Sequence, residues 1–149
     1  MKLLILNGPN LNMLGRREPS VYGSASYRDL ESMIRAHADS IGVEVTLAQS
    51  NHEGELVTLI QNAPGTYDGV VINPAAFTHT SVAILDALLA AGLPAVEVHI
   101  SNIHKREEFR NHSVTAAGCT GQIVGLGLNG YLLAMDYLRA VLLPNGYES

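Results

Sequence analysis

The chain has 149 residues, a mass of 15.9 kDa and a formal net charge of −5. The length suits a single domain over 1–149, and the acidic balance argues against a nucleic-acid partner, which would draw on a basic patch. Charged residues are only 15% of the chain, against roughly 25% in an average soluble domain. Part of the surface is therefore expected to be buried against other copies of the chain.

Short apolar runs alternate with helical patterns. Leu3–Leu6, bounded by Asn7-Gly8-Pro9, reads as a buried strand. Residues 7–25 follow as nineteen residues without clear periodicity. Over 26–41, Leu30, Met33, Ile34, Ala38 and Ile41 share one helical face, with Ser26 and Asp29 spaced as a capping box and Gly42 as the stop. Val43–Ala48 alternates and is rich in β-branched residues, hence a second strand. Residues 53–62 make a short helix with Leu56, Leu59 and Ile60 inward. Gly69–Ile72 is a third, buried strand, and Ser81–Ala91 a helix ended by Gly92-Leu93-Pro94. Ala95–Ile100 and Gln122–Val124 are the fourth and fifth strands, and 129–142 a last helix whose apolar positions wrap past one face. This order predicts an α/β three-layer sandwich, flavodoxin-like, with a parallel five-stranded sheet in the order 2-1-3-4-5.

In such sheets the ligand lies beyond the carboxyl ends of the strands, near the switch in strand order. Polar residues collect at that edge. Strand one ends in Asn7, with Asn10 and Asn12 beyond it, and strand two in Ser50-Asn51-His52. Strand three ends in Asn73-Pro74 before Thr78-His79-Thr80, and strand four in His99-Ile100-Ser101-Asn102. Turn preference accounts for Asn7 and Asn51 but less well for two histidines at one edge. The set suits a neutral or anionic polyol. No Walker loop is present, and Gly125-Leu126-Gly127-Leu128-Asn129-Gly130 is only loosely like a dinucleotide fingerprint, so close packing or a small anion is expected there.

The long first loop carries Arg16-Arg17-Glu18-Pro19-Ser20-Val21-Tyr22-Gly23. Loops this long in compact domains are commonly functional lids. A tyrosine titrates near 10, and a close cation lowers that by roughly 1–3 units, enough to make a phenolate base. The spacing alone leaves open an ordinary tyrosine in an exposed arginine-rich loop. In Glu97-Val98-His99, alternation puts the carboxylate and the imidazole on one face, where the carboxylate can fix the tautomer and raise the basicity of a general acid. A core histidine satisfied by its neighbour is the other reading. The run Lys105-Arg106-Glu107-Glu108 reads mostly as a solvated face, with Arg110 beside Phe109 free to clamp a carboxylate.

His79, His99, His104 and His112 have no H-E-x-x-H or comparable spacing, so no metal is expected. One cysteine, Cys119, excludes an internal disulfide and suits a cytoplasmic protein. No apolar run reaches the ~18 residues of a membrane span, and the opening apolar stretch is too short for a signal peptide.

Several segments together resemble the type II 3-dehydroquinate dehydratases, over essentially the whole chain. They are Asn7-Gly8-Pro9-Asn10-Leu11-Asn12-Met13-Leu14-Gly15, Arg17-Glu18-Pro19 with Tyr22-Gly23, and Gln49-Ser50-Asn51-His52-Glu53-Gly54. Further on come Asn73-Pro74, Thr78-His79-Thr80-Ser81-Val82-Ala83, Glu97-Val98-His99-Ile100-Ser101-Asn102 and Arg106-Glu107-Glu108-Phe109-Arg110. The resemblance implies anti elimination of water from 3-dehydroquinate through an enolate, without a cofactor, in the shikimate pathway or in quinate catabolism. It implies Tyr22 as the base, with Arg17 lowering its pKa, and Asn10 holding a water against the enolate oxygen. His99 would protonate the departing hydroxyl, oriented by Glu97. Asn73 would position His99 and bind substrate together with His79, Ile100, Ser101 and Arg110.

A lid over about 16–25 and a dodecamer, a tetramer of trimers in which Asp86 reaches a neighbour's site, are further implications. The two lysines, Lys2 and Lys105, stand where neither is desolvated, which disfavours imine chemistry. The chain departs from the family at Ala75, usually glycine, at Phe77, commonly tyrosine or leucine, and over Val114–Gln122. The competing class is a non-catalytic flavodoxin-like binding or receiver module, although receivers need acidic residues where strand one here ends in asparagine.

Overall fold

The computed structural model describes residues 1–16 and 18–143, with Tyr22 described through its backbone alone. Five parallel strands form one sheet: β1 (Lys2–Asn7), β2 (Glu44–Gln49), β3 (Gly69–Asn73), β4 (Ala95–His99) and β5 (Gly121–Val124). Their order is β2-β1-β3-β4-β5, as the alternation of elements predicts. The helices are α1 (Pro19–Tyr22), α2 (Tyr27–Ile41), α3 (Glu53–Gln61), α4 (Val82–Ala91) and α5 (Asn129–Leu142). Leu3 pairs in register with Val45 on one side and Gly69 on the other, so β1 is an interior strand and the strand order reverses beside it.

Alternation along each strand divides the apolar residues between two cores. Leu3, Ile5, Val71, Val96 and Val98 pack with Leu30 and Ile34 of α2 and with Ala134, Met135 and Leu138 of α5. Leu4, Leu6, Val70 and Ile72 face the other way, onto Leu56 and Ile60 of α3 and Ile84, Ala87 and Leu88 of α4. Each such fully buried aliphatic side chain contributes about 1.5–3 kcal/mol. Glu97 and His99 share the strand face of Ala95, on the α4 side of the sheet.

The helix ends follow local chemistry. Ser26 Oγ accepts from Asp29 N (3.1 Å) while Asp29 Oδ2 accepts from Ser26 N (2.9 Å), the reciprocal box expected from the spacing. Ser81 Oγ accepts from Ile84 N at 2.9 Å and starts α4.

The aperiodic loop expected over 7–25 is more structured than its sequence implies. β1 continues through Asn7, Leu11–Met13 forms a 3₁₀ turn, and Pro19–Tyr22 forms the short α1. Leu11 and Leu14 are buried against the α2 core, which is why the first half of this segment is ordered without any helical period. Gly8 lies so close to the β3 loop that a Cβ there would stand 2.4 Å from the Pro74 carbonyl oxygen.

The glycines after β5 serve packing. A Cβ on Gly125 would stand 2.9 Å from Asn102 Cβ. Gly125 N and Gly127 N donate to the His99 and Ile100 carbonyls, both at 3.0 Å, and so strap the end of β4. Among the described residues no helix is long and apolar enough to cross a membrane.

Candidate active site

A cleft opens beyond the carboxyl ends of β1, β3 and β4, at the switch in strand order. Pro9, Asn10, Leu11, Met13 and Leu14 come from the loop after β1, and Asn73, Ala75, Ala76 and His79 from the end of β3. His99, Ile100, Ser101, Ile103, Arg106 and Arg110 come from the end of β4. Seven of the expected site residues are thereby brought together: Asn10, Asn73, His79, His99, Ile100, Ser101 and Arg110. Arg17 and the side chain of Tyr22 lie outside the described residues. Asp86 is exposed on α4 and does not line the cleft.

Asn10 is held at the mouth in a left-handed conformation (φ 70°), which asparagine tolerates better than most residues. Its backbone N–H donates to Asn51 Oδ1 at 3.0 Å. Gln49 Nε2 donates to the same oxygen (3.2 Å) and to the Gly8 carbonyl (3.1 Å). The Gln49-Ser50-Asn51 segment thus shapes the loop that presents Asn10.

Glu97 is fully buried directly behind His99. His99 Nε2 donates to Glu97 Oε2 at 2.9 Å. Ser113 Oγ donates to the same oxygen at 2.7 Å, Gln122 Nε2 also donates to it, and Thr115 Oγ1 donates to Oε1. Burial pushes the Glu97 carboxyl up. The hydrogen bonds from His99 and Thr115, the charge of His99 and the Ser113 hydroxyl outweigh it and hold the group at about 2. Glu97 is therefore an anchored carboxylate, and the proton on His99 Nε2 is committed to it. Nδ1 is left as the nitrogen through which His99 can exchange a proton with the cleft.

His79 Nδ1 donates to the His112 carbonyl at 2.8 Å, because a carbonyl can only accept. Nε2 is then the ring nitrogen not taken up by that bond. Arg110 Nε donates to Glu107 Oε2 at 2.6 Å, and the guanidinium lies over the Phe109 ring, 5.0 Å from its centroid.

The expectation that Asn73 positions His99 is not what its hydrogen bonds do. Asn73 Nδ2 donates to Tyr131 Oη (2.9 Å) and Asn73 Oδ1 accepts from Ala75 N (3.0 Å). His99 is held instead by Glu97 and by Thr78 Oγ1, 3.4 Å from Nε2. Ala75 takes φ 54°, a region that favours glycine, so the departure from the family pattern sits at a locally strained position in the cleft wall.

Sequence reasoning missed three features. Arg106 stands in a run that reads mostly as a solvated face. Lys105, Glu107 and Glu108 are indeed exposed, but Arg106 lines the cleft with its side chain 14% exposed and pairs with Glu18 at 3.4 Å. Of the residues around Glu97 and His99, Thr78 stands in the polar edge read from the sequence, whereas Ser113, Thr115 and Gln122 carry no signal except the strand register, in which Gln122 stands beside Glu97. By periodicity Tyr131 is one more apolar position of the last helix. Its hydroxyl is fully buried, donates to Asn7 Oδ1 at 2.6 Å and accepts from Asn73, so it knots β1 and β3 beneath the cleft. Among the described residues no buried side-chain nitrogen or oxygen lacks a partner. The Cys119 thiol is pushed up to about 12, first by burial and then by the charge of Glu97, so it stays protonated and unreactive.

Comparison with known proteins agrees with this geometry. The model of the family described as dehydroquinase class II matches residues 1–139. The 3-dehydroquinate dehydratase of Bacillus pumilus is 58% identical over 135 residues, covering 91% of this chain and 92% of that protein. The crystal structure of the type II dehydroquinase from Butyrivibrio crossotus superposes with a TM-score of 0.92 at 52% identity, covering 93% of this chain and 97% of that one. The receiver domain of a Pseudomonas aeruginosa sensor histidine kinase, 14% identical with a TM-score of 0.54 over 95% of this chain and 96% of that one, shares the fold alone. The chain belongs to the dehydroquinase class II family.

Proposed function

We propose that this protein is a 3-dehydroquinate dehydratase, a hydro-lyase that eliminates water from 3-dehydroquinate through an enolate to give 3-dehydroshikimate. The observation that carries the reading is the anchored Glu97–His99 pair at the edge of a cleft walled by Asn10, Asn73, Ser101 and Arg110, in a chain of this family.

In this reading Tyr22, its pKa lowered by Arg17, removes the proton beside the ketone. The negative charge passes to the ketone oxygen, where a water held by Asn10 stabilises it. Collapse of the enolate expels the C1 hydroxyl, and His99 Nδ1 gives it a proton so that it leaves as water. The proton gained by Tyr22 and the one lost by His99 balance through solvent. Glu97 stabilises the imidazolium and fixes its orientation. Arg110 and Ser101 take the substrate carboxylate. Asn73, His79 and the backbone of Ile100 bind the hydroxyl face.

The segment 16–25 acts as the lid over the bound substrate, with the Glu18–Arg106 pair joining it to the cleft wall. The protein works in the cytoplasm as a dodecamer, a tetramer of trimers. Asp86 completes a neighbouring site, and Leu133, Tyr137 and Val141 of α5, each more than two-fifths exposed in the single chain, are covered by assembly.

The test is to add 3-dehydroquinate and follow the conjugated enone product by its ultraviolet absorbance. Turnover is expected, and Tyr22→Phe should abolish it while leaving substrate affinity largely intact. Activity surviving that substitution refutes the assigned base. Sedimentation should find a particle near twelve chains, and a stable active monomer refutes the assembly.

A further inference from the structure

We propose that Thr115 is a positioning residue for this reaction. Its hydroxyl proton anchors Glu97 Oε1, and through Glu97 it holds the His99 imidazole in the orientation that delivers a proton to the cleft. This inference rests on the function proposed above.

The two carboxylate oxygens of Glu97 are supported unequally. Among the described residues, Oε2 accepts from His99, Ser113 and Gln122, whereas the hydrogen bond to Oε1 comes from Thr115. Three donors on one oxygen fix a point, and a bond to the second oxygen fixes the plane of the group. Thr115 is fully buried and does not line the cleft, so it has no direct contact with a substrate there.

The proton count sets the direction of the network. The Ser113 and Thr115 protons both go to Glu97. Thr78 Oγ1 lies 2.7 Å from Thr115 Oγ1 and 3.0 Å from Ser113 Oγ, and each of those oxygens has only acceptor capacity left for it. Thr78 therefore donates away from His99, and toward His99 Nε2, at 3.4 Å, it can only accept. A bare Nε2 facing the Glu97 carboxylate at 2.9 Å would set two lone pairs against each other. Both partners thus require the proton on Nε2, which leaves Nδ1 for the chemistry. Removing the Thr115 hydroxyl frees Oε1 to rotate and takes away the nearer acceptor of the Thr78 proton.

The titratable groups facing Glu97 among the described residues are His99, on its own strand, and Cys119, beyond Thr115. The Cys119 thiol remains neutral throughout the working pH range, so it sets no charge beside Glu97. Thr78, Ser113 and Gln122 contribute no charge.

The experiment uses Thr115→Val, which keeps the shape and removes the hydroxyl, and Thr115→Ser, which keeps the hydroxyl. Thr115→Ala repeats the deletion without a methyl pressed against Thr78. With 3-dehydroquinate, Thr115→Val and Thr115→Ala are expected to lower kcat tenfold or more with KM within about twofold, a loss of about 1.4 kcal/mol in the transition state alone. Thr115→Ser should stay close to wild type. In a Glu97→Gln background the Thr115→Val change should add less than twofold, because the hydroxyl acts through that carboxylate.

The carbon-13 resonance of the Glu97 carboxyl, titrated in the ligand-free proteins, reads the same bond without turnover. Its midpoint should rise by one pH unit or more on loss of the hydroxyl. An unmoved midpoint, or a Thr115→Ser variant as impaired as Thr115→Val, overturns the proposal. A wild-type protein that does not turn over 3-dehydroquinate overturns the proposed function. The titration still decides the Thr115–Glu97 link in that case.

Discussion

Tyr131→Phe isolates the knot beneath the cleft, because it removes one oxygen and keeps the ring. The hydroxyl is fully buried and makes two short hydrogen bonds, 2.6 Å to Asn7 Oδ1 and 2.9 Å from Asn73 Nδ2. Its loss leaves two buried amide atoms without that partner. Each orphaned group costs about 1–3 kcal/mol, less the desolvation that the hydroxyl itself no longer suffers. Asn7 keeps a long contact from Nδ2 to Tyr27 Oη at 3.5 Å, and Asn73 keeps its bond from Ala75 N. The net loss expected is about 2–4 kcal/mol, or about 5–15 °C in Tm for a chain of this size. Urea unfolding at one fixed protein concentration is the assay, since association would shift the midpoint. Burial also pushes the Tyr131 phenol above its ordinary value. Above pH 10 the unfolded chain therefore binds fewer protons than the folded one, so stability falls as pH rises, and Tyr131→Phe should lessen that slope. A Tyr131→Phe variant within about 0.5 kcal/mol of wild type refutes the reading that these three polar groups depend on one another.

Two further perturbations probe other layers. Glu97 titrates at about 2 in the folded protein against an ordinary 4.5, so its stabilisation is complete above about 4.5 and is lost as pH falls toward 2. The shift corresponds to about 3 kcal/mol, and urea midpoints measured from pH 6 to 3 should fall more steeply for wild type than for Glu97→Gln; parallel curves refute it. Gly8→Ala drives a Cβ to 2.4 Å from the Pro74 carbonyl, backbone against backbone, and should cost about 1–3 kcal/mol and weaken substrate binding by spreading the β1 and β3 loops. An unchanged Tm and KM would show that the loops yield freely.

Much of this molecule can be read along the chain. The five strands, the four long helices and the 2-1-3-4-5 order follow from the alternation of period-2 and period-3.6 patterns with turn residues between them. The capping box at Ser26 and Asp29 follows from spacing alone. Asn10, Asn73, His79, His99, Ser101 and Arg110 converge because parallel strands present all their carboxyl ends at one edge. The pairing of Glu97 with His99 is equally local, since residues two apart on a strand face the same way. The loop after β1 was less legible, because Leu11 and Leu14 are ordered by the α2 core rather than by any period of their own.

The sequence by itself thus determined which side chains point to which face of the sheet and which strand ends meet. Periodicity specifies a direction relative to an element's own axis, and that suffices for cores and edges. Hydrogen-bond partners need atoms within about 3 Å of one another, and that separation is decided only when the crossovers have brought distant segments together. The tertiary structure alone places Tyr131 between Asn7 and Asn73, 124 and 58 residues away. It alone turns Arg106 into the cleft wall and gathers Thr78, Ser113, Thr115 and Gln122 around His99 and Glu97. The carboxylate held ionised inside the fold comes from that last convergence, because burial alone would have neutralised it.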